Sequence, residues 1–206
     1  MVFKKLMTDN FLEEIDPYTI FEQWFNEANA YELNDPNAMA LSSVDSSGMP
    51  NIRIVLLKDW GKRGFVFYTN MESQKGQEVL STGKAAVNFH WKSLKKQVRI
   101  RGITEPVSDD EADAYFASRH RISRLGAWAS KQSHLLDSRQ TMLDDLAKLE
   151  KKYPNDDIPR PPYWHGTRIK PLYIEFWQEG DFRLHDRLIF QRSDVSQDWR
   201  KERWYP

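Results

Sequence analysis

The spacing of apolar residues changes several times along the chain, and each change marks an element. Ile20, Phe21, Trp24, Phe25 and Ala28 recur three and four apart, which predicts an amphipathic helix over 17–32. Asp16-Pro17 opens it as N-cap and first-turn proline, and Asn34-Asp-Pro36 ends it. Alternation then takes over. Strands are predicted over 39–44 and 51–58, joined by the turn Asp45-Ser-Ser-Gly48, and over 65–70 after Gly61-Lys-Arg-Gly64. Residues 73–80 return to a helical pattern with Ser73 as N-cap. Two more strands follow over 84–91 and 97–107, the second with Gln97, Arg99 and Arg101 on one face and Val98 and Ile100 on the other. Ser108-Asp-Asp-Glu111 is a capping box. The helix it opens, if it runs on far enough, lines up Tyr115, Arg119 and Ser123 at four-residue spacing. Residues 137–153 are a charged amphipathic helix whose stripe of Met142, Leu143, Leu146 and Leu149 reads as core. A Pro-rich loop over 154–162 leads to a closing hairpin, with strands over 173–178 and 183–190 around Gly180-Asp181. Alternation puts Arg183, His185 and Arg187 on one face of its second strand, with Trp177 across the hairpin.

Strands outnumber helices and follow one another as hairpins. The fold class is therefore mainly β (α+β), an antiparallel barrel with helices outside. Residues 1–15 read as a loosely held start and 16–206 as one domain. Lys+Arg and Asp+Glu are each 30, so the net charge is zero, which argues against a general nucleic-acid or membrane-surface binder. Absence of Cys removes disulfides, thiolate metal sites and Cys nucleophiles. No signal-like segment and no membrane-length apolar run are present, so a cytoplasmic location is expected. The five histidines show no metal spacing, and neither a Gly-rich dinucleotide loop nor a nucleophile elbow occurs. What recurs is a cation or amide beside an aromatic: Arg53 and Lys58, Tyr68-Thr69, Lys75, Gln97, Gln132-Ser133, Trp177, and Arg183, His185 and Arg187. A phosphate joined to a planar ring system would use such a set, which points to a flavin mononucleotide or pyridoxal phosphate class of ligand.

At these residues the sequence resembles the pyridoxine (pyridoxamine) 5′-phosphate oxidase family. The segments that carry the resemblance are Arg53-Ile-Val-Leu-Leu-Lys58, Phe67-Tyr-Thr-Asn70, Gln97-Val98, Gly126-Ala-Trp128, Ser130-Lys-Gln-Ser133, Glu175-Phe-Trp-Gln178 and Arg183-Leu-His-Asp-Arg187. The resemblance implies a split β-barrel that dimerises, with flavin mononucleotide (FMN) at the subunit interface. By residue matching it implies flavin contacts at Arg53, Tyr68, Thr69, Lys75, Gln97, Gln132, Ser133, Trp177 and Arg187. It implies substrate-phosphate contacts at Lys58, Tyr115, Arg119 and Ser123, with Arg183 and His185 beside the substrate ring as the catalytic candidates. One departure is Gln74, where members often carry Arg, which replaces a charge-assisted phosphate contact by a neutral one. The N-terminal segment also lacks the Arg-rich, Tyr-containing stretch that some members fold over the substrate, so no lid residues are assigned.

The implied reaction oxidises pyridoxamine or pyridoxine 5′-phosphate to pyridoxal 5′-phosphate, with O2 as acceptor and hydrogen peroxide as product. Two other classes compete with it. One is a non-catalytic FMN or pyridoxal phosphate carrier, which peroxide release on substrate addition would exclude. The other is a split-barrel flavin oxidoreductase using a nicotinamide cofactor, which NADH oxidation without activity on pyridoxamine phosphate would favour.

Overall fold

The computed structural model describes residues 10–206. Of the start expected to be loosely held, residues 1–9 lie outside the described residues. Phe11, in a 3-10 turn over Asn10–Leu12, is buried and meets Trp24 edge-on at 5.0 Å.

Helix α1 spans Pro17–Tyr31. The Asp16 carboxylate accepts the Tyr18 N–H at 2.9 Å and so caps one of the helix's open donors. Its apolar stripe turns inward, with Ile20, Phe21, Trp24 and Ala28 at 1% exposure or less and Phe25 partly buried. Phe21 is the hub: its ring lies 4.9 Å from both Trp60 and Phe65 and 5.4 Å from Phe89. Trp24 meets Phe176 edge-on at 5.3 Å.

These rings fill the curl of an antiparallel sheet. Its strands are β1 (Ala38–Val44), β2 (Pro50–Leu56), β3 (Asp59–Gly61), β4 (Gly64–Asn70), β5 (Lys84–Trp91), β6 (Lys96–Pro106), β7 (Trp164–Gln178), β8 (Asp186–Gln191) and β9 (Arg200–Arg203). The order is β2-β1-β5-β6-β7-β4-β3, with β8 on β7 and β9 on β8. Strand β7 is the longest, at 15 residues. One edge pairs with β6 along its length, while the other pairs first with β4 and then with β8. The expected alternation on β6 is observed, with Val98 and Ile100 fully buried and Arg99 and Arg101 exposed.

Helix α2 (Gln74–Thr82) follows β4, with the Ser73 hydroxyl accepting the Gly76 N–H. Helices α3 (Asp109–Ser118), α4 (Arg121–Ala129) and α5 (Arg139–Lys152) lie between β6 and β7 in sequence. They cover a second apolar cluster of Phe116, Leu125, Ile158 and Trp164. Leu146 and Leu149 of α5 pack against it, whereas Leu143 of the same predicted stripe is exposed. Among the described residues no helix is long and apolar enough to cross a membrane.

Two expectations are corrected. The helix opened by the capping box does not run on to Ser123. It stops at Ser118, Arg119 is extended (φ −75°, ψ 149°), and α4 starts afresh from His120. The Ser118 hydroxyl donates to the Tyr115 carbonyl at 2.8 Å and the Arg119 N–H turns to Phe116, which ends the helix locally. The second strand of the closing hairpin, β8, begins at Asp186 and not at 183. Asp181–Arg183 form a 3-10 turn in which Phe182 and Arg183 have φ of 57° and 66°. A Cβ on Gly180 would lie 2.0 Å from the Leu184 carbonyl oxygen, so this turn closes only around glycine. Arg183, His185 and Arg187 therefore do not share a strand face.

Because Phe21 joins helix and sheet through so many rings, Phe21→Ala is expected to lower unfolding free energy by about 3–5 kcal/mol, read by denaturant titration.

Candidate active site

A cleft of about 650 Å³ opens where Lys58, the end of β4, the start of α2 and the α3–α4 break converge. It brings together eight of the residues singled out from the sequence: Lys58, Tyr68, Thr69, Lys75, Tyr115, Arg119, Ser123 and Gln132. One wall is aromatic. Tyr68, Tyr115 and Trp164 are nearly parallel, with Tyr68 4.1 Å from Tyr115 and 5.2 Å from Trp164. Gly166 makes room for this: a Cβ there would lie 2.7 Å from the Tyr68 ring.

Cations sit on the wall. The Arg119 guanidinium lies 4.9 Å from the Trp164 ring centre, and the Lys58 ammonium 5.9 Å from that of Tyr115. Arg119 Nη1 is buried and has no hydrogen-bond partner among the described residues. Burial lowers the Arg119 pKa, with Tyr115 opposing. A buried guanidinium nitrogen without an acceptor is costly, and an anion in the cleft would relieve it. The break at Arg119 thus gathers Tyr115, Arg119 and Ser123, which a continuous helix was expected to do.

At the other end of the cleft, Lys75 donates to the Ser73 hydroxyl at 3.2 Å, beside the first turn of α2. Burial lowers the Lys75 pKa, the Arg53 charge adds to this, and Glu78 opposes it. Arg53 itself does not line the cleft. Its guanidinium is held by Glu78 at 3.1 Å, the Ser43 hydroxyl and the Leu41 carbonyl. Burial favours a neutral Glu78, but hydrogen bonds from Ser43, Asn51 and Arg53 outweigh it and hold the carboxyl below its ordinary range. Gln74, the first residue of α2, is exposed.

Four of the remaining site residues form a second cluster. Gln97, Trp177 and Arg187 stand in one row across β6, β7 and β8. The His185 ring lies 4.7 Å from that of Trp177. The Gly180 N–H points at His185 Nδ1 at 3.2 Å, so a neutral ring carries its proton on Nε2 and is a donor there. Arg183 is exposed in the neighbouring turn, and Ser133 is exposed in the loop beyond Gln132 with φ of 70°. Tyr68 pairs with Gly166 near the start of β7, and Trp177 lies near its end. At about 3.3 Å per residue, that separation is on the order of 30 Å. The cleft and the Gln97–Trp177–Arg187 row therefore lie at opposite ends of one strand.

The sequence reading missed Trp164, Asn70, His120 and Ser130 in the cleft lining, and the carboxylates Glu78 and Glu175 behind the arginines. Trp164 had a usable signal, a bulky aromatic two residues before a glycine. The two glutamates had none, because an acidic residue in a helix (Glu78) or a strand (Glu175) carries no mark of its distant partner. A larger cleft of about 840 Å³, lined in part by Lys84, Arg101 and Tyr173, includes none of the predicted site residues. Among the described residues no group of three or more His, Asp or Glu is placed to hold a metal ion.

Residues 25–153 match the sequence family described as Pyridoxamine 5′-phosphate oxidase. Residues 164–206 match the Pyridoxine 5′-phosphate oxidase C-terminal dimerisation region. The chain is 57% identical over 199 residues to the pyridoxine/pyridoxamine 5′-phosphate oxidase of Brucella canis, covering 97% of this chain and 98% of that one. It is 57% identical over 202 residues to the enzyme of the same name from Allorhizobium ampelinum, covering 98% of each. Among solved structures, PhzG from Burkholderia lata, in complex with tetrahydrophenazine-1-carboxylic acid, superposes with a TM-score of 0.90 at 28% identity, over 97% of this chain and 98% of that one. A pyridoxamine 5′-phosphate oxidase-related, FMN-binding protein from Nostoc punctiforme shares the fold, with a TM-score of 0.74 at 16% identity over 94% of this chain and 99% of that one. With its split-barrel fold and sequence matched over nearly its whole length, the chain belongs to the pyridoxamine 5′-phosphate oxidase family.

Proposed function

We propose that the chain is an FMN-dependent oxidase that converts pyridoxamine or pyridoxine 5′-phosphate to pyridoxal 5′-phosphate, acting as a homodimer. The observation that carries this reading is the buried, unpartnered Arg119 Nη1 on an aromatic wall beside Lys58, which fits a phosphate attached to a planar ring. The residues present also fit flavin mononucleotide. Lys75 is a desolvated cation beside a helix N-terminus, suited to the flavin phosphate, with Tyr68, Thr69 and Gln132 on the same cleft. Gln97, Trp177 and Arg187 offer amide, ring and guanidinium in a row for a flavin ring edge.

The chemistry that bound flavin mononucleotide would supply is hydride acceptance at N5 from the substrate C4′, with O2 as final acceptor and hydrogen peroxide released; with the amine substrate the resulting imine takes up water and releases ammonia. The chain's own residues supply position and charge. Lys58, Tyr115, Arg119 and Ser123 grip the substrate phosphate far from the reacting carbon, so its binding energy orients C4′. His185, as the neutral tautomer that the Gly180 N–H selects, offers its Nε2–H as a donor toward the substrate ring. Arg187 and Gln97 place positive charge and donors where electron density builds up on reduction.

The two ends of β7 are too far apart to meet on one ligand, so the reading has each site take its cleft from one copy and its Trp177–Arg187 row from the other. Ile52 and Ile54, about two-thirds exposed on one face of β2, give that pairing apolar surface to bury.

The deciding experiment reconstitutes the protein with FMN, desalts it and adds pyridoxamine 5′-phosphate without oxygen. Retained flavin whose absorbance bleaches supports the reading. Retained flavin that bleaches only with NADH would replace it with the nicotinamide-dependent alternative, and flavin that bleaches with neither would leave a carrier. Arg119→Gln is expected to lower kcat/KM for pyridoxamine 5′-phosphate by roughly 10- to 100-fold while FMN affinity stays near wild type. An unchanged kcat/KM would remove Arg119 from the substrate site.

Lys75 gives a pH prediction. It binds phosphate in its charged form, and its pKa in the free protein lies below the ordinary 10.5. FMN affinity is then full near neutrality and falls as pH rises through that lowered value. Lys75→Arg, which stays charged, is expected to flatten the fall in a fluorescence titration. An equally steep fall in the variant would assign it to another group.

A further inference from the structure

Glu175 is a carboxylate buried in the sheet, with a side chain 2% exposed. Three donors converge on it. Oε1 accepts from Arg187 Nε at 2.9 Å, and Oε2 accepts from Arg99 Nη1 at 3.0 Å and from the Tyr173 hydroxyl at 2.6 Å. Burial alone would push its pKa up, but the bonds from Arg187 and Tyr173 and the charges of Arg99 and Arg187 hold it below the ordinary carboxylate range. The residue is therefore an anion at neutral pH. Strand pairing puts it there: Glu175 lies opposite Arg99 on β6, and Arg187 lies opposite Trp177, two residues along β7.

Arg187 is held on two other sides as well. Its Nη1 donates to the Tyr205 carbonyl at 2.9 Å, and its guanidinium lies 5.7 Å from the Trp204 ring centre. A buried ion pair contributes little to net stability compared with an apolar packing of the same volume. What it does supply is a fixed direction, since Nε bound to a carboxylate sets the plane of the whole guanidinium.

We propose that Glu175 is a positioning residue for the cofactor: through Arg187 Nε it sets the plane in which the guanidinium meets the flavin ring edge. This rests on the flavin reading given above. The role is orientation, not charge. Glu175 lowers the local positive charge, from two arginines to a net of one, so a purely electrostatic account has it opposing an anionic cofactor.

That opposition gives the test. Apo-protein is titrated with FMN, following flavin fluorescence, for wild type, Glu175→Gln, Arg187→Ala and the double variant. Glu175→Gln adds net positive charge yet is expected to weaken FMN binding roughly tenfold. In the Arg187→Ala background it is expected to have no further effect, because its action runs through Arg187. Binding as tight as or tighter than wild type, or independent addition of the two effects, would overturn the proposal. A flavin-free readout runs beside it. The Arg187 Nε–H, identified by its loss from the NMR spectrum of Arg187→Ala, is expected to be protected from hydrogen exchange in wild type and to exchange quickly in Glu175→Gln. Equal protection in both would also overturn the proposal. Should Glu175→Gln fail to fold, Tyr173→Phe keeps the carboxylate and removes one donor. It is expected to give the same changes in smaller measure, and FMN affinity and exchange both at wild-type values would overturn the proposal. A wild-type protein that binds no FMN would sink the flavin reading, while the exchange measurement would still judge whether Glu175 fixes Arg187.

Discussion

Both half-sites hang on the ladder between β6 and β7. Strand β7 pairs with β6 from Thr167 to Gln178, with one register shift opposite Arg101/Gly102. Its other edge changes partner part-way, from β4 to β8. That change splits the barrel. It also sets the address of the strand-borne candidates: Tyr68 and Thr69 arrive with β4 at the start of β7, and Arg187 arrives with β8 at its end. The aromatic core around Phe21 holds the curl that makes this possible, because the helix fills a space that a flat sheet would not enclose.

A chain of zero net charge still builds strongly cationic sites by handling its arginines in two ways. Arg53 and Arg187 are each anchored on a buried glutamate, Glu78 and Glu175. Their direction is fixed and their charge is largely answered. Among the described residues Arg119 has no carboxylate partner, and it rests on Trp164 with one nitrogen unpartnered. A guanidinium of the first kind orients a ligand that stays bound. One of the second kind keeps most of its unmet hydrogen-bonding demand for a ligand that comes and goes. The division matches the roles proposed for Arg187 at the cofactor and Arg119 at the substrate phosphate.

The sequence carried the elements well where periodicity was long. The helix from Pro17, the alternation on β6 and the capping box at Ser108 follow from local pattern, and local physics decides them. It failed where a short segment obeyed a distant demand. Arg183 to Arg187 alternates like a strand, yet its start is taken into a turn that must close over Gly180 before β8 can pair with β7. Tyr115, Arg119 and Ser123 have helical spacing, yet they meet through a break in the helix. The site residues came mostly from resemblance, and the structure gathers eight of them in one cleft. The glutamates behind the arginines were invisible because a contact between distant elements, helix to strand for Glu78 and strand to strand for Glu175, has no signature in a single sequence.

The separation of the half-sites also decides what kind of assembly could use them. A cleft at one end of β7 and a ring-and-guanidinium row at the other cannot be joined by flexing, since a hydrogen-bonded strand does not fold back on itself. A second copy related by twofold symmetry solves the problem for both at once, because setting one cleft against the partner's row sets the partner's cleft against the first row. Two composite sites then form together or not at all. A ligand spanning both would stabilise the pair by mass action, and loss of the pair would release it. On this argument the Glu175–Arg187 contact shapes a surface that completes a neighbour's site, so an error in that one side chain would be felt in the other subunit.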